Sequence, residues 1–249
     1  NPLMLTFDDG YRECFDICLP ILLKHRARAT FFIPTGFIEE RRLFWWDQVA
    51  LLLQRATRDM LELEYPVKES IDLSHRDVAQ YRLLRFAETS YGLDMTRYLE
   101  GLWQAAGADL PRAEERQLAD EVAMSWDQIL ALRAAGMDIQ SHTRTHRVLN
   151  TLLPDDLDDE LSGSKRELEE RLGEPVDTIA YPVGYSVAQS PQIRAALARA
   201  GYVAGLTNRS GYHFTFWRPD PYDVRRLPAD LVVVDDVFAG VMALPLLAV

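Results

Sequence analysis

The chain has 249 residues, of which 48% are hydrophobic, and its formal net charge is −11. This length and apolar content suit one large α/β core better than two small ones, so we expect a single domain over residues 1–249. The negative charge argues against nucleic acid or an anionic bilayer as a partner, because both would repel the chain.

No run of about 18 apolar residues predicts a transmembrane segment. The first residues, Asn-Pro-Leu-Met-Leu, lack the basic start and cleavage site of a signal peptide, which weakly favours a cytoplasmic location. The sequence leaves the oligomeric state open.

The chain opens with a β-α-β pattern. Leu3 to Phe7 is a short apolar run that ends at Asp8-Asp9-Gly10, which predicts a buried strand followed by a turn. A helix is predicted from about Arg12 to His25, and the β-forming residues from Ala29 to Ile33 predict a second strand. This unit favours parallel strands joined by a right-handed crossover.

The residues from about 39 to 123 differ in character, because strand signals become rare there. Helices are predicted over about 47–60, 76–90, 95–106 and 111–122. We therefore predict a mainly helical insertion at about 39–123 within the domain.

The alternation of strands and helices resumes after the insertion. Ser125-Trp126-Asp127-Gln128 has the spacing of a capping box and opens a helix, and Met137 to Ser141 predicts a strand that runs into His142. A helix, a strand, a helix and a strand follow, at about 154–172, 178–181, 191–200 and 202–206. This order predicts a parallel α/β fold, either open or closed into a barrel.

Three side chains after predicted strands have the chemistry of a metal site. His142 and His146 are four residues apart, a spacing that places two imidazoles on one side of a helical turn and commonly chelates zinc. Asp9 follows the first strand, and the carboxyl ends of parallel strands share one rim. Alone, Asp-Asp-Gly is a common turn and the two histidines could be exposed loop residues, but their coincidence favours a divalent metal, with Zn²⁺ as the expected ion.

Two further groups could act beside such a metal. Asp8 points away from Asp9 and is free to accept a proton from water. The turn in Ala180-Tyr181-Pro182-Val183-Gly184 presents backbone N–H groups, and that of Val183 is the candidate donor to a tetrahedral oxyanion. A Pro-x-Gly sequence alone is usually only a turn.

In chain order, Leu5-Thr6-Phe7-Asp8-Asp9-Gly10-Tyr11, Ser141-His142-Thr143-Arg144-Thr145-His146 and Ala180-Tyr181-Pro182-Val183-Gly184 resemble the motifs of the polysaccharide deacetylase family, carbohydrate esterase family four. The resemblance covers most of the chain outside the insertion. It implies a distorted (β/α) barrel of about seven parallel strands.

The resemblance also implies roles by position. Asp8 would be the catalytic base, and Asp9, His142 and His146 would bind a divalent metal, usually zinc. The implied reaction is hydrolysis of an N-acetyl group, or sometimes an O-acetyl group, from a sugar with release of acetate.

The chain departs from the family pattern in the third and last motifs. Ala180 stands where many members have an arginine that orients the base, and Val183 stands where they have a tyrosine. Arg226 is the candidate replacement for that arginine, or else a surface or strand-end residue. No late Leu-x-His supplies a general acid: His213 lies in a loop-like Gly-Tyr-His-Phe, and Asp8 could instead take and return the proton.

Phe44-Trp45-Trp46-Asp47 resembles a branch of the family with a helical insertion between the first two motifs. Trp45 and Trp46 could form a wall for a sugar ring, since aromatic faces pack on C–H surfaces. Alternatively they anchor the insertion to the barrel. The same two interpretations apply to Trp217, for which the structural one is favoured.

Four functions are compatible with these motifs. The first is metal-dependent removal of an acetyl or other acyl group from an amino sugar or polysaccharide. The second is deacylation of a small N-acyl substrate, such as a glycolipid, a nucleotide sugar or a natural product. The third is a non-haem iron oxygenase, which also uses two histidines and a carboxylate, although Asp8 has no evident use there. The fourth is an inactive carbohydrate-binding or scaffold module, against which the retained carboxylates and histidines argue.

Overall fold

The computed structural model describes residues 3–211, 220–227 and 229, and most of its strands belong to one parallel sheet. In chain order the strands are β1 (Leu5–Phe7), β2 (Ala29–Ile33), β3 (Met60–Leu63), β4 (Glu69–Asp72), β5 (Asp138–Ser141), β6 (Thr178–Ala180), β7 (Ala204–Ser210) and β8 (Val224–Arg226). The sheet has the order β1-β2-β5-β6-β7-β8, with every neighbouring pair parallel, and β3 and β4 form a separate antiparallel pair.

The sheet curls into a half-barrel. β1 and β8 are its two edges, yet the Nη1 atom of Arg226 on β8 donates to Oγ1 of Thr6 on β1 at 3.2 Å. Side chains of opposite edges can meet in this way only when the sheet curves strongly. The half-barrel confirms the prediction of a distorted (β/α) barrel, with six parallel strands in the described ranges.

Helices surround the sheet. In the described residues they are α1 (Leu19–Lys24), α2 (Thr35–Glu40), α3 (Trp45–Arg55), α4 (Arg76–Thr89), α5 (Met95–Ala106), α6 (Arg112–Val122), α7 (Trp126–Ala134), α8 (Pro154–Asp158), α9 (Ser164–Leu172) and α10 (Pro191–Ala200). A π-helical turn, Cys14–Cys18, leads into α1, and a second, Asp159–Gly163, joins α8 to α9. The predicted capping box at the start of α7 is confirmed: Ser125 accepts from the N–H of Gln128, whose side chain accepts from the N–H of Ser125.

The segment between β2 and β5 contains helices α2 to α6 and the β3–β4 hairpin. The predicted helix over 47–60 is wrong at its end, because α3 stops at Arg55 and Met60 begins β3. Leu61 and Leu63 are buried while Met60 and Glu62 are exposed, so these residues follow the period of a strand. Apart from this hairpin the segment is helical, and the insertion limits of 39–123 and the single domain over 1–249 stay predictions.

This helical segment shares one hydrophobic core with the sheet. A continuous cluster of buried side chains joins Phe31 and Ile139 on the strands to Leu52, Leu83 and Leu102 on α3, α4 and α5. Removal of either part would therefore expose apolar surface of the other, which costs about 25 cal/mol per Å².

None of the helices in the described part of the chain combines the length and the apolar composition that a membrane span requires.

The shared core predicts how the chain unfolds. Leu83→Ala should lower the free energy of unfolding by about 2–5 kcal/mol, because Leu83 is fully buried and truncation leaves a cavity. Val78→Ala on the same helix is the control, since Val78 is 54% exposed. Urea denaturation, followed by both circular dichroism and tryptophan fluorescence, should show one transition that shifts in Leu83→Ala. A separate early transition, with the remainder of the curve unchanged, would contradict the shared core.

Candidate metal centre

Three predicted ligands meet at the carboxyl edge of the sheet. Nε2 of His142 lies 3.1 Å from Oδ1 of Asp9, and Nε2 of His146 lies 3.2 Å from the same oxygen. The candidate ligand atoms of the three residues all lie within 4.8 Å of one another. Among residues 3–211, 220–227 and 229 this is the one group of His, Cys, Asp or Glu side chains with that geometry.

The two histidines converge through a loop and not through the helical turn that their spacing suggested. Thr143 and His146 both have left-handed backbone angles, with φ of 64° and 54°, and the imidazole centroids lie 4.7 Å apart. Such angles cost about 1–2 kcal/mol for a residue other than glycine, so the loop requires support from its surroundings. Part of that support is local, since the N–H of His146 donates to Oγ1 of Thr143 at 3.1 Å.

A buried carboxylate supplies further support to the same loop. Glu160 is 5% exposed, and its Oε2 atom accepts from the N–H groups of Arg144 and Thr145 at 2.8 Å each. Its Oε1 atom accepts from the hydroxyl of Thr145. These charge-assisted bonds hold the backbone just before His146.

Asp9 also has a left-handed backbone, with φ of 71° in the turn after β1. Burial alone would raise the pKa of Asp9, but hydrogen bonds and charges from His142 and His146 outweigh it and hold that pKa far below its usual value. Asp9 is therefore a carboxylate throughout the physiological range.

The hydrogen bond of His142 shows that the centre requires positive charge. Nδ1 of His142 lies 2.8 Å from the backbone oxygen of Ala180 and must donate to it, because a carbonyl only accepts. In the neutral imidazole the lone pair of Nε2 then faces the Asp9 carboxylate. Two acceptors at this distance repel each other unless a proton or a cation lies between them. In agreement with this, the pKa of His142 is raised: burial alone would lower it, but the hydrogen bond to Asp9 and the charges of Asp8 and Asp9 outweigh burial. One carboxylate and two imidazoles suit a divalent transition metal such as zinc.

Asp8 has a separate environment, as adjacent residues at a strand end should. Its Oδ1 accepts from Nη1 of Arg226 at 2.8 Å, and its Oδ2 accepts from Nη2 at 2.7 Å. Nε of Arg226 donates to the backbone oxygen of Thr207 at 3.2 Å, and Nη2 also donates to Oδ1 of Asn208 at 2.5 Å. The structure therefore brings the predicted replacement arginine into a two-pronged contact with the predicted base.

Val183 lies in the turn that follows β6, where its φ of 61° is left-handed. Ala180, the last residue of β6 before this turn, supplies the backbone oxygen that accepts from His142. Gly184 is packed closely: a Cβ atom there would lie 2.3 Å from Cβ of Asn208, and its φ is +79°. Only glycine fits this position. Its close packing holds the turn beside Asn208, whose Oδ1 accepts from Arg226.

The two tryptophans of α3 pack around His146. Trp45 is buried, and its Nε1 donates to the backbone oxygen of His146 at 3.3 Å. Trp46 is half-buried, with its ring centroid 4.4 Å from that of His146 and 4.9 Å from that of Phe44. Trp45 therefore matches the anchoring interpretation. His213 and Trp217 lie outside the described residues.

Tyr11 and Asp47 join this group, although the sequence pointed to them only as members of longer motifs. The hydroxyl of Tyr11 accepts from Nε1 of Trp46 at 2.6 Å and donates to Oδ2 of Asp47 at 3.1 Å. Burial raises the pKa of Asp47, and the charge of Asp9 raises it further, against the lowering by the Tyr11 bond. The sequence feature that could have placed Tyr11 near the site was its position directly after the Asp8-Asp9-Gly10 turn.

A cavity of about 700 Å³ borders the His146 loop. Thr145 and Arg147 line it from the loop, and Trp45 and Trp103 line it from the helical segment. Asp8, Asp9, His142 and His146 are not among its lining residues, so it is distinct from the space into which the ligands point.

Comparison with known proteins supports the motif resemblance. A search of curated proteins found no match. Similar solved structures include the deacetylase PplD from Streptococcus pyogenes in complex with acetate, with 18% identity over 96% of this chain and 69% of that one and a TM-score of 0.57. A polysaccharide deacetylase from Bacillus cereus has 17% identity over 96% of this chain and 50% of that one, with a TM-score of 0.56. IcaB from Ammonifex degensii has 18% identity over 96% and 71%, with a TM-score of 0.52.

At these identities the structural likeness shows a shared fold, and this chain spans half the length of the Bacillus cereus protein. The sequence match shows more than the fold, because it covers more than half of the chain. The model of the family described as polysaccharide deacetylase matches residues 1–61 and 90–205. These ranges leave out residues 62–89 of the segment between β2 and β5 and residues 206–249, and they include all three motifs. The chain therefore belongs to the polysaccharide deacetylase family.

Proposed function

We propose that the chain is a metal-dependent hydrolase that removes an N-acetyl group from an amino sugar or a polysaccharide. The observation that carries the proposal is the pairing of two carboxylates with different partners. Asp9 faces His142 and His146, while its neighbour Asp8 faces Arg226. Family membership supports deacetylation as the reaction, and the acetate complex of the Streptococcus pyogenes relative supports acetyl as the acyl group.

In this proposal Asp9, His142 and His146 hold a divalent ion, with Zn²⁺ as the expected metal. Such an ion, when bound, lowers the pKa of a water molecule and polarises the amide carbonyl. The residues themselves supply one negative charge and two neutral donors, which leaves room for both water and substrate.

Asp8 is the proposed base. It takes a proton from the attacking water and later returns it to the leaving nitrogen, because no other general acid is assigned. Each carboxylate oxygen has two lone pairs, so Asp8 can accept the two bonds from Arg226 and still accept a proton. Arg226 is the proposed positioning residue that aims Asp8 at the water.

The backbone N–H of Val183 is the proposed donor to the oxyanion of the tetrahedral intermediate. A left-handed residue in a tight turn can direct its N–H away from the local hydrogen-bond ladder, which supports this role. A single such donor typically contributes about 10²–10³ in kcat.

The Asp8–Arg226 contact also weighs against the other functions. A non-haem iron oxygenase has no evident use for a second carboxylate held beside the ligand set, and an inactive binding module would not need the ligands and the base together. A small N-acyl compound remains the alternative substrate class, since it requires the same chemistry. The proposed partners are accordingly a carbohydrate or a small N-acylated molecule.

The base assignment predicts the effect of Asp8→Asn. This substitution keeps the shape of the side chain but removes its basicity, so acetate release from N-acetylated chitooligosaccharides should fall about 10²–10⁴-fold. Metal content, measured by atomic emission, should stay at the wild-type value because Asp9, His142 and His146 are intact. Equal acetate release by wild type and Asp8→Asn would refute Asp8 as the base.

The metal assignment predicts which histidines matter. His142→Ala and His146→Ala should each lose most bound Zn²⁺ after dialysis, because two remaining ligands chelate weakly. His75→Ala is the matched control, since His75 is exposed at the start of α4. Chelator treatment of the wild type should abolish acetate release, and added Zn²⁺ should restore it. Iron in the purified protein together with oxygen consumption would instead indicate an oxygenase.

The positioning role predicts the effect of Arg226→Lys. Lysine keeps the charge but cannot bind both oxygens of Asp8 in a fixed plane, so kcat should fall about tenfold or more with little change in metal content. Arg209→Lys is the control, because Arg209 is half exposed and pairs with Asp223 at 3.4 Å. Unchanged kcat in Arg226→Lys would mean that the contact with Asp8 is only structural.

A further inference from the structure

We propose that Trp46 positions His146 and the Asp9 turn for metal binding, so that the helical segment between β2 and β5 contributes directly to the metal affinity. This inference rests on the proposed metal site. It concerns residues that lie beyond the three ligands and the base.

The starting point is a difference between the two histidines. Nδ1 of His142 has a partner in the Ala180 oxygen, whereas Nδ1 of His146 is buried and has no hydrogen-bond partner among the described residues. Histidine ligands usually take their orientation from a hydrogen bond at the second ring nitrogen. His146 therefore requires another source of orientation.

Packing against Trp46 supplies that orientation. The two rings lie 4.4 Å apart between centroids, at 55° to each other. The indole is itself fixed, because it stacks on the fully buried ring of Phe44 at 4.9 Å with only 3° between the planes. Trp45 contacts the indole at 90° and donates from its own Nε1 to the His146 backbone. A rigid neighbour of this kind restricts rotation of the His146 imidazole.

The same indole also binds Tyr11, which follows the turn that carries Asp9. Nε1 of Trp46 donates to the Tyr11 hydroxyl at 2.6 Å, and Tyr11 is two residues beyond Asp9. Because the hydroxyl accepts from Trp46, its own proton is directed to Asp47. One side chain of α3 thus contacts both His146 and Tyr11, the residue that directly follows the Asp8-Asp9-Gly10 turn, and these two contacts are far apart in the sequence.

The test is metal binding by the purified full chain. Zn²⁺ affinity would be measured by competition with a chromophoric chelator, and coordination geometry by the visible absorption of the Co²⁺ form. Trp46→Leu should weaken Zn²⁺ binding about 10–100-fold, the range found when support of a ligand is removed, and should alter the Co²⁺ spectrum. Trp46→Phe keeps a ring but loses the bond to Tyr11, so a smaller loss of several-fold is expected.

Trp103 offers matched controls, because it is a buried tryptophan of α5 in the same segment. Trp103→Leu and Trp103→Phe should leave the Zn²⁺ affinity and the Co²⁺ spectrum unchanged. This comparison separates positioning of the ligands from a general loss of packing, which both tryptophan positions would share.

Each outcome has a defined meaning. Wild-type affinity and spectrum in Trp46→Leu would overturn the inference and leave the proposed function intact. Failure of the wild type to bind Zn²⁺ or Co²⁺ would refute the proposed function itself. If Trp46→Leu does not fold, Trp46→Phe decides, and wild-type affinity and spectrum there would overturn the inference.

Discussion

The convergence of two imidazole nitrogens on one oxygen of Asp9 is the constraint around which the site is built. With Nδ1 of His142 committed to the Ala180 oxygen, the buried centre places acceptors opposite each other and requires positive charge between them. This arrangement requires left-handed backbone angles at Asp9 and His146, which are unfavourable for residues other than glycine. Glu160 and the backbone oxygen of Ala180 help to hold it, and the two residues lie on different elements.

Sheet curvature separates the roles of the two adjacent carboxylates. A strand end directs neighbouring side chains apart, so Asp8 and Asp9 cannot share the same partners. Asp9 meets ligands that follow β5, the second neighbour of β1, whereas Asp8 meets Arg226 from the opposite edge of the sheet. A flat sheet would keep β8 far from β1, so the contact between Asp8 and Arg226 exists only because the sheet forms a half-barrel.

The helical segment between β2 and β5 is integrated with the sheet in two ways. Its helices share a hydrophobic core with the strands, so its packing and that of the sheet are mutually dependent. Its helix α3 also places Trp45 and Trp46 against His146. The segment that distinguishes this chain from a plain β/α repeat is therefore in contact with the candidate metal centre.

The sequence by itself predicted the alternation of strands and helices and the parallel α/β class, because these depend on local periodicity. Residue chemistry pointed to Asp8, Asp9, His142 and His146, whereas the barrel was implied only by the resemblance of three motifs to the polysaccharide deacetylase family. It missed the β3–β4 hairpin, whose four-residue strands are too short for a clear period, and it suggested a helical turn where His142 and His146 lie on a loop. Only the tertiary structure decided the left-handed backbone at the ligands, the two-pronged contact of Arg226 with Asp8 and the packing of Trp46 on His146. Those features join residues distant along the chain, and their energies come from contacts that no local pattern records.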